Sequence, residues 1–296
     1  MPQILFSAPS IKRYETSEFK PEGNSFFAVS ITGSACGLKC SHCLGKILSY
    51  MKATTTKESL YRFAKGLYSR GGKGLLVSGG SNRNGVVPMR PFLKTLEKIK
   101  REFNFKLVAH IGILDKETVA EIKESGIDRV MIDIVGSEDT LRDVCHQKRE
   151  MADFEETLSI LCKYELKVVP HIVIGLDFGK IKGEFNALKL VCKYPIYSLV
   201  LVGILPLLST PMYGIKPPSP EEMKDVFIRA RELFPDKPVM LGCTRPMGPH
   251  KIKTDIFALS AGLNGIAYPS EGIVSRARDM GYEPQFSEVC CSLYEP

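Results

Sequence analysis

The feature that most constrains this chain is a regular alternation. Eight near-continuously apolar runs, FFAVSITG (26–33), GLLVSGG (74–80), FKLVAHIGI (105–113), RVMIDIVG (129–136), KVVPHIVIG (167–175), SLVLVGILPL (198–207), KPVMLGC (237–243) and GIAYPS (265–270), are separated by segments of helical periodicity. Strands that are apolar on both faces belong to parallel sheets covered by helices on both sides. The helical segments carry their own punctuation. In TTKESLYRFAKGLYSRGG, Thr55 and Glu58 have the spacing of a capping box, Leu60, Phe63, Ala64 and Leu67 form one stripe, and Gly71-Gly72 ends the helix. Eight strand–helix units imply an α/β fold, a parallel (β/α)8 TIM-type barrel over 25–275, with 1–24 an N-terminal extension and 276–296 a C-terminal tail closing the barrel mouth. The alternative is an open six-strand barrel with an appended lobe.

At 296 residues, 44% hydrophobic and 25% charged, the chain is long enough for one large buried core. No apolar run is long enough to cross a bilayer, and MPQILFSAPSIKRYE lacks the layout of a signal peptide, so a cytoplasmic protein is expected. Nine cysteines is an odd number, scattered rather than framed, which argues against a disulfide scaffold. The net charge of +7 forms no arm of the kind that binds nucleic acid. It suits an acidic protein partner better.

Three of the cysteines lie together just after the first strand, in ITGSACGLKCSHC (31–43), with the spacing C-x3-C-x2-C. The ends of barrel strands are where this fold keeps its chemistry. Three thiolates in so short a loop can each hold one iron of a 4Fe-4S cluster, leaving the fourth iron open. The small residues Gly33, Ser34, Ala35 and Gly37 let the backbone wrap closely. A structural zinc site would instead need four closed ligands, usually as two distant pairs.

Cys36, Cys40 and Cys43, with His42 where a ring residue is usual, resemble the signature of the radical S-adenosylmethionine enzymes. The resemblance implies that the open iron chelates S-adenosylmethionine and that reductive cleavage yields a 5′-deoxyadenosyl radical that abstracts hydrogen from carbon. Ser78, Gly79 and Gly80 end the second strand, where the family has a Gly-Gly motif meeting the methionine amino group; Ser81 replaces its usual acidic residue. Asp133 ends the fourth strand, where polar residues reach the ribose, and HIVIGL (171–176) loosely matches a fifth-strand element. His42, Ser78, Gly79, Gly80 and Asp133 are therefore the expected cofactor contacts.

Further segments, LLVSGGSNRNGVVPM, VPHIVIGLDFGKIKGE, ILPLLSTPM, LGCTRPMG and the terminal CC pair, resemble the biotin synthase-like branch, and within it a subunit of two-protein lipoyl synthases. That implies sulfur insertion into an octanoyl chain carried on a lipoyl carrier protein, with a second lipoyl synthase subunit and an electron-donor protein as partners. An auxiliary 4Fe-4S cluster would be the sulfur donor. No cysteine precedes Cys36, so Cys243, Cys290 and Cys291 are its expected ligands. Asn82, Arg83, His110, His171 and Arg245 are candidates for the substrate pocket. Cys162 and Cys192 lie on apolar helical stripes and are expected in the core, while Cys145, beside His146, lies beyond the fourth strand within reach of the active face. The competing readings are a single-cluster radical enzyme such as a mutase or methylase, and a non-catalytic metal-binding barrel.

Overall fold

The structure is a computed structural model describing residues 1–295, so Pro296, the last residue of the expected tail, lies outside the described residues. Its elements in chain order are β1 (Gln3–Ser7), β2 (Phe26–Ser30), β3 (Lys52–Ala53), α1 (Lys57–Tyr68), β4 (Gly74–Ser78), α2 (Leu93–Phe103), β5 (Lys106–Ile111), α3 (Lys116–Glu124), β6 (Arg129–Asp133), α4 (Glu138–Asp143), α5 (Met151–Lys163), β7 (Val168–Ile174), α6 (Glu184–Val191), β8 (Leu199–Gly203), α7 (Pro220–Leu233), β9 (Val239–Leu241), α8 (Pro249–Ser260), β10 (Gly265–Ala267), α9 (Ile273–Asp279) and β11 (Glu283–Ser287). All eight expected strands are present, and β2, β4, β5, β6, β7, β8, β9 and β10 lie side by side in chain order, every pair parallel. Helices packed outside such a curved parallel sheet give the TIM-type barrel.

The barrel closes differently from a minimal eight-strand one. The terminal segments, expected as arms, each contribute a strand: β1 inserts beside β10, and β11 beyond β1. The ladder runs open from β11 to β3. Across the seam the contact is local: Ser25 Oγ donates to Glu288 O (2.8 Å) and Glu22 N to Glu288 Oε1 (2.7 Å). The end of β11 thus meets the start of β2, as strand tilt in a barrel requires. β3 occupies the remaining upper edge of β2, with Val29 facing Lys52 and Ser30 facing Ala53.

From that seam the C-terminal segment enters the barrel rather than covering its mouth. Cys290, Cys291 and Leu293 join the apolar core. The short 3-10 turn Cys291–Leu293 touches both β6 and β10, which lie four places apart in the sheet, so it sits on the concave side. Glu295 then pairs with Arg129 (3.4 Å) and Lys106 (3.9 Å), at the N-terminal ends of β6 and β5. The tail is a floor, driven in by its apolar and thiol side chains and anchored by one carboxylate.

Two local readings are corrected. The capping box of α1 lies one residue on: Thr56 Oγ1 accepts from Ser59 N (3.1 Å) and Ser59 Oγ from Thr56 N (3.0 Å). Cys192 is exposed, because α6 ends at Val191 and buries Ala187, Leu188 and Val191 instead; the Cys192 thiol donates to Lys189 O (3.1 Å). Cys162 is half-buried against the core.

Candidate active site at the C-terminal ends of the strands

The cysteine loop leaves β2 and folds tightly over its end. Ser30 Oγ donates to Gly33 O (2.7 Å), Ala35 N to Thr32 O (3.2 Å), and both Cys43 N and Leu44 N to Cys40 O (3.1 and 2.8 Å). Lys39 and Leu44 take left-handed conformations, each with φ 50°. For residues with a Cβ this costs about 1–2 kcal/mol each, and such strain persists where surrounding contacts over-determine a functional loop.

One set of contacts comes from the turn after β4. Gly80 N donates to Thr32 Oγ1 (2.7 Å) and Gly37 N to Ser81 O (2.6 Å). A Cβ on Gly80 would lie 2.0 Å from Ala35 O and 2.6 Å from Cys36 Cα. The Gly-Gly turn is therefore required by direct backbone contact with the cysteine loop. Gly80→Ala is expected to displace that loop, costing about 1–3 kcal/mol and lowering iron uptake on reconstitution. A wild-type urea midpoint together with full iron content would contradict this.

The other set comes from the segment after α4. Val144 O accepts from Ser41 N (2.8 Å), and Cys145 O from the Cys40 thiol (3.4 Å). His146 Nδ1 lies 3.1 Å from Leu38 O and Nε2 lies 3.2 Å from Ser41 Oγ. A carbonyl only accepts, so Nδ1 carries a proton and donates it to Leu38 O, while Nε2 and the Ser41 hydroxyl share the second hydrogen bond. Sequence reasoning gave His146 no role, and its only signal was adjacency to Cys145. Cys145 itself is buried with Leu38, Cys40, Cys43, Val144 and Leu176. A hydrogen bond with Cys145, and burial second, push the Cys40 thiol up; burial pushes Cys43 to about 11. Without a bound cation these thiols stay protonated; a ligated metal would draw them into the thiolate form.

Facing the loop is a polar group inside the barrel. His110 Nε2 lies 3.4 Å from Asp133 Oδ1, and the rings of His110 and His171 are 5.6 Å apart. Asp133 is 52% exposed although it ends an interior strand, so the upper interior is open to water. Burial opposes the charged form of Asp133, but the charge and hydrogen bond of His110 outweigh it and hold the carboxyl at about 2. Burial likewise opposes a charged His110, and Asp133 outweighs it, raising that histidine. The Asp133 charge also acts on His42, Cys40 and Cys43, which places the loop and the polar group around one space. His42 Nδ1 is buried without a partner there.

His171 is 7% exposed, its Nδ1 3.1 Å from Val169 O; burial first, and the charge of His110 second, push it down to about 4. An unfolded histidine takes up its proton near pH 6.5, whereas folded His171 resists until about 4. Its contribution to stability is therefore complete above pH 6.5 and falls by up to about 3 kcal/mol toward pH 4. Urea midpoints at pH 7 and pH 5 should differ less in His171→Phe than in the wild type, and an equal difference would contradict the assignment.

The other expected residues are placed unevenly. Ser78 Oγ donates to His110 O (3.2 Å), joining the two neighbouring strand ends. Asn82 Oδ1 accepts from Asn84 N (2.9 Å) and Val86 N (3.1 Å), closing its own turn, while Arg83 is exposed beside it. Arg245 is not in a pocket. It is 2% exposed, its Nε donates to Asp255 (2.6 Å), Nη1 to Gly242 O and Ala267 O, and Nη2 to Tyr268 O. The segment after β9 turns it inward to tie β9 to α8 and to the end of β10. Cys243 is exposed toward the water-accessible interior, and confinement pushes its thiol up. It shares that region with buried Cys290 and Cys291, whose charges reach it and, for Cys290, His110. The adjoining Cys291 thiol, with Ser292 Oγ donating to Cys290 Sγ (3.1 Å), draws the Cys290 thiol below its usual range.

Three free thiols on one strained loop, an orphaned imidazole nitrogen beside them and an open, charged interior fit a cluster carrying a polar cofactor. Among the described residues no three His, Cys, Asp or Glu side chains, the two cysteine groups included, already converge on a single metal ion.

Comparison with known proteins agrees. The chain is 22% identical over 311 residues to the biotin synthase of Chlorobium phaeobacteroides (strain BS1), covering 99% of this chain and 89% of that one. It is 26% identical over 168 residues to the biotin synthase of Thermodesulfovibrio yellowstonii (strain ATCC 51303 / DSM 11347 / YP87), covering 53% and 51%. The fold is shared with methylornithine synthase (TM-score 0.60, 16% identity, 89% and 85% covered) and with the FeFe-hydrogenase maturase of Carboxydothermus hydrogenoformans (TM-score 0.65, 15% identity, 96% and 68% covered). The family model of the radical SAM superfamily matches residues 30–180, the stretch that carries the cysteine loop, the Gly-Gly turn and the interior polar group. By that match the chain belongs to the radical SAM superfamily, whose members use a 4Fe-4S cluster and S-adenosylmethionine.

Proposed function

We propose that this chain inserts sulfur into an octanoyl chain on a lipoyl carrier protein, as one subunit of a two-protein lipoyl synthase. The observation that carries this reading is the second group of thiols. Cys290 and Cys291 lie inside the barrel with Cys243 near them, and Cys290 is close enough to His110 for its charge to act there. When bound, a cluster with S-adenosylmethionine supplies the electron and the hydrogen-abstracting radical. The chain's own residues do the rest. Cys36, Cys40 and Cys43 would hold that cluster, Gly80 and His146 keep their loop in place, and buried Leu38 and Leu176 keep water from its underside. Asp133 and His110 present fixed opposite charges to a polar cofactor, and neutral His171 completes the wall. Cys243, Cys290 and Cys291 would hold the auxiliary, sulfur-donating cluster. A net charge of +7 favours encounter with an acidic carrier domain, and an electron-donor protein and a second synthase subunit complete the system.

One observation favours the alternative, a single-cluster radical enzyme such as a mutase or methylase: Cys290 and Cys291 are 7% and 5% exposed within the apolar core, as structural thiols are. Incubation with an octanoyl-lysine carrier domain, S-adenosylmethionine and dithionite, followed by mass spectrometry of the domain, separates the two. The wild type is expected to add sulfur, while Cys243→Ser and Cys290→Ser still cleave S-adenosylmethionine and add none. Cleavage by the wild type with no sulfur added would overturn the sulfur-insertion reading.

A further inference from the structure

Outside the barrel, at the free edge of β3, lies a cavity of about 430 Å³ that the chemistry above does not use. Its walls include Lys52 and Thr54 from the edge segment and Ser59, Arg62, Gly66 and, beyond the helix end, Arg70 along α1. β3 has a neighbour on one side only, and both of its residues, Lys52 and Ala53, line this space. Among the described residues, Lys52, Arg62 and Arg70 make no ion pair. The nearest carboxylate on the same helix, Glu58, is exposed, and its charge reaches Arg62 only at a distance.

Two observations go beyond a charged surface. Thr54 is 1% exposed and its hydroxyl is buried without a hydrogen-bond partner, an unusual cost for a group lining a cavity. Gly66 stands in the middle of α1, where glycine is unfavourable, and a Cβ there would come 3.5 Å from Arg70 Nη1. That is an ordinary contact distance, so the glycine widens the wall beside the guanidinium without being required for it. A lysine alone would suffice to guard an edge strand against pairing. It would not explain two further unpaired guanidinium groups, an orphaned hydroxyl and a helix-interior glycine around one cavity.

We infer that this cavity is an oxyanion site, taking a phosphate or carboxylate group between Arg62, Arg70 and Lys52, with Thr54 at its wall. Guanidinium pairs bind such planar or tetrahedral oxygens through charge-assisted hydrogen bonds. The site is separate from the radical chemistry and does not depend on sulfur insertion.

The test is calorimetric titration of the full chain at low ionic strength, first with inorganic phosphate. Saturable binding is expected, weakened at least about tenfold in Arg62→Gln/Arg70→Gln and also weakened in Thr54→Val, but unchanged in Lys65→Gln, an exposed lysine of α1 that does not line the cavity. Competition by a triglutamate peptide identifies the source. Displacement by peptide at lower concentration than phosphate assigns the site to a carboxylate-bearing protein partner, and tighter phosphate binding assigns it to a free phosphorylated compound. No saturable binding of either probe, or equal binding by the double-arginine variant, would overturn the inference.

Discussion

Replacing Cys36, Cys40 and Cys43 together by alanine is expected to bring 5′-deoxyadenosine formation under dithionite to the background of a protein-free control. The three thiols are the cysteine ligands that the loop offers to a cluster, and a set of ligands acting as a unit is not lost by fractions. The fold should survive. Two of the three side chains are small and buried at a loop surface, and the contacts that fix the loop's path run through backbone groups of Gly37, Ser41 and Gly80 and through His146. The check is product chromatography beside a urea unfolding curve. Persistent turnover in a folded variant would mean that the cofactor is cleaved elsewhere.

The second large effect is structural. Asp255 is 0% exposed and Arg245 2%. Asp255 accepts from Arg245 Nε (2.6 Å), Ser270 N (2.8 Å) and Ser270 Oγ (2.9 Å), so one carboxylate joins the β9–α8 turn to the segment after β10. Asp255→Ala would leave a buried guanidinium without its counter-charge and is expected to cost about 3–5 kcal/mol. That is a large share of a stability of about 5–15 kcal/mol. Arg245→Met/Asp255→Leu, which removes both charges, should recover most of the loss. Denaturant unfolding measures both, and a loss under about 1 kcal/mol for the single variant would contradict the pairing, being the range of an exposed ion pair.

Much of this architecture was legible because its signals are local. Eight apolar runs became eight strands in chain order, since a strand buried on both faces has a composition no surface segment shares. The cysteine loop and the Gly-Gly turn were legible by their position after successive strands. What was missed depends on long-range contact. β1 and β11 read as arms because neither has the apolar continuity of a central strand; they earn their place by pairing with each other beside β10. Arg245 reads as a pocket residue from its position after a strand, and only the buried Asp255, ten residues on, turns it inward. His146 clamps the loop through a ring in a left-handed segment, φ 53°, which no spacing rule announces. The tail's course into the barrel follows from Glu295 meeting Arg129, a pairing 166 residues apart.

The central claim is that the barrel holds two sets of cluster ligands, one on the loop and one inside. It is tested most directly by iron and sulfide content after anaerobic reconstitution, comparing the wild type with the Cys36→Ala/Cys40→Ala/Cys43→Ala variant. Two cubane clusters give about eight irons in the wild type and about four in the variant. A folded variant that binds no iron would show that Cys243, Cys290 and Cys291 hold no cluster, and the sulfur-donor account would fall.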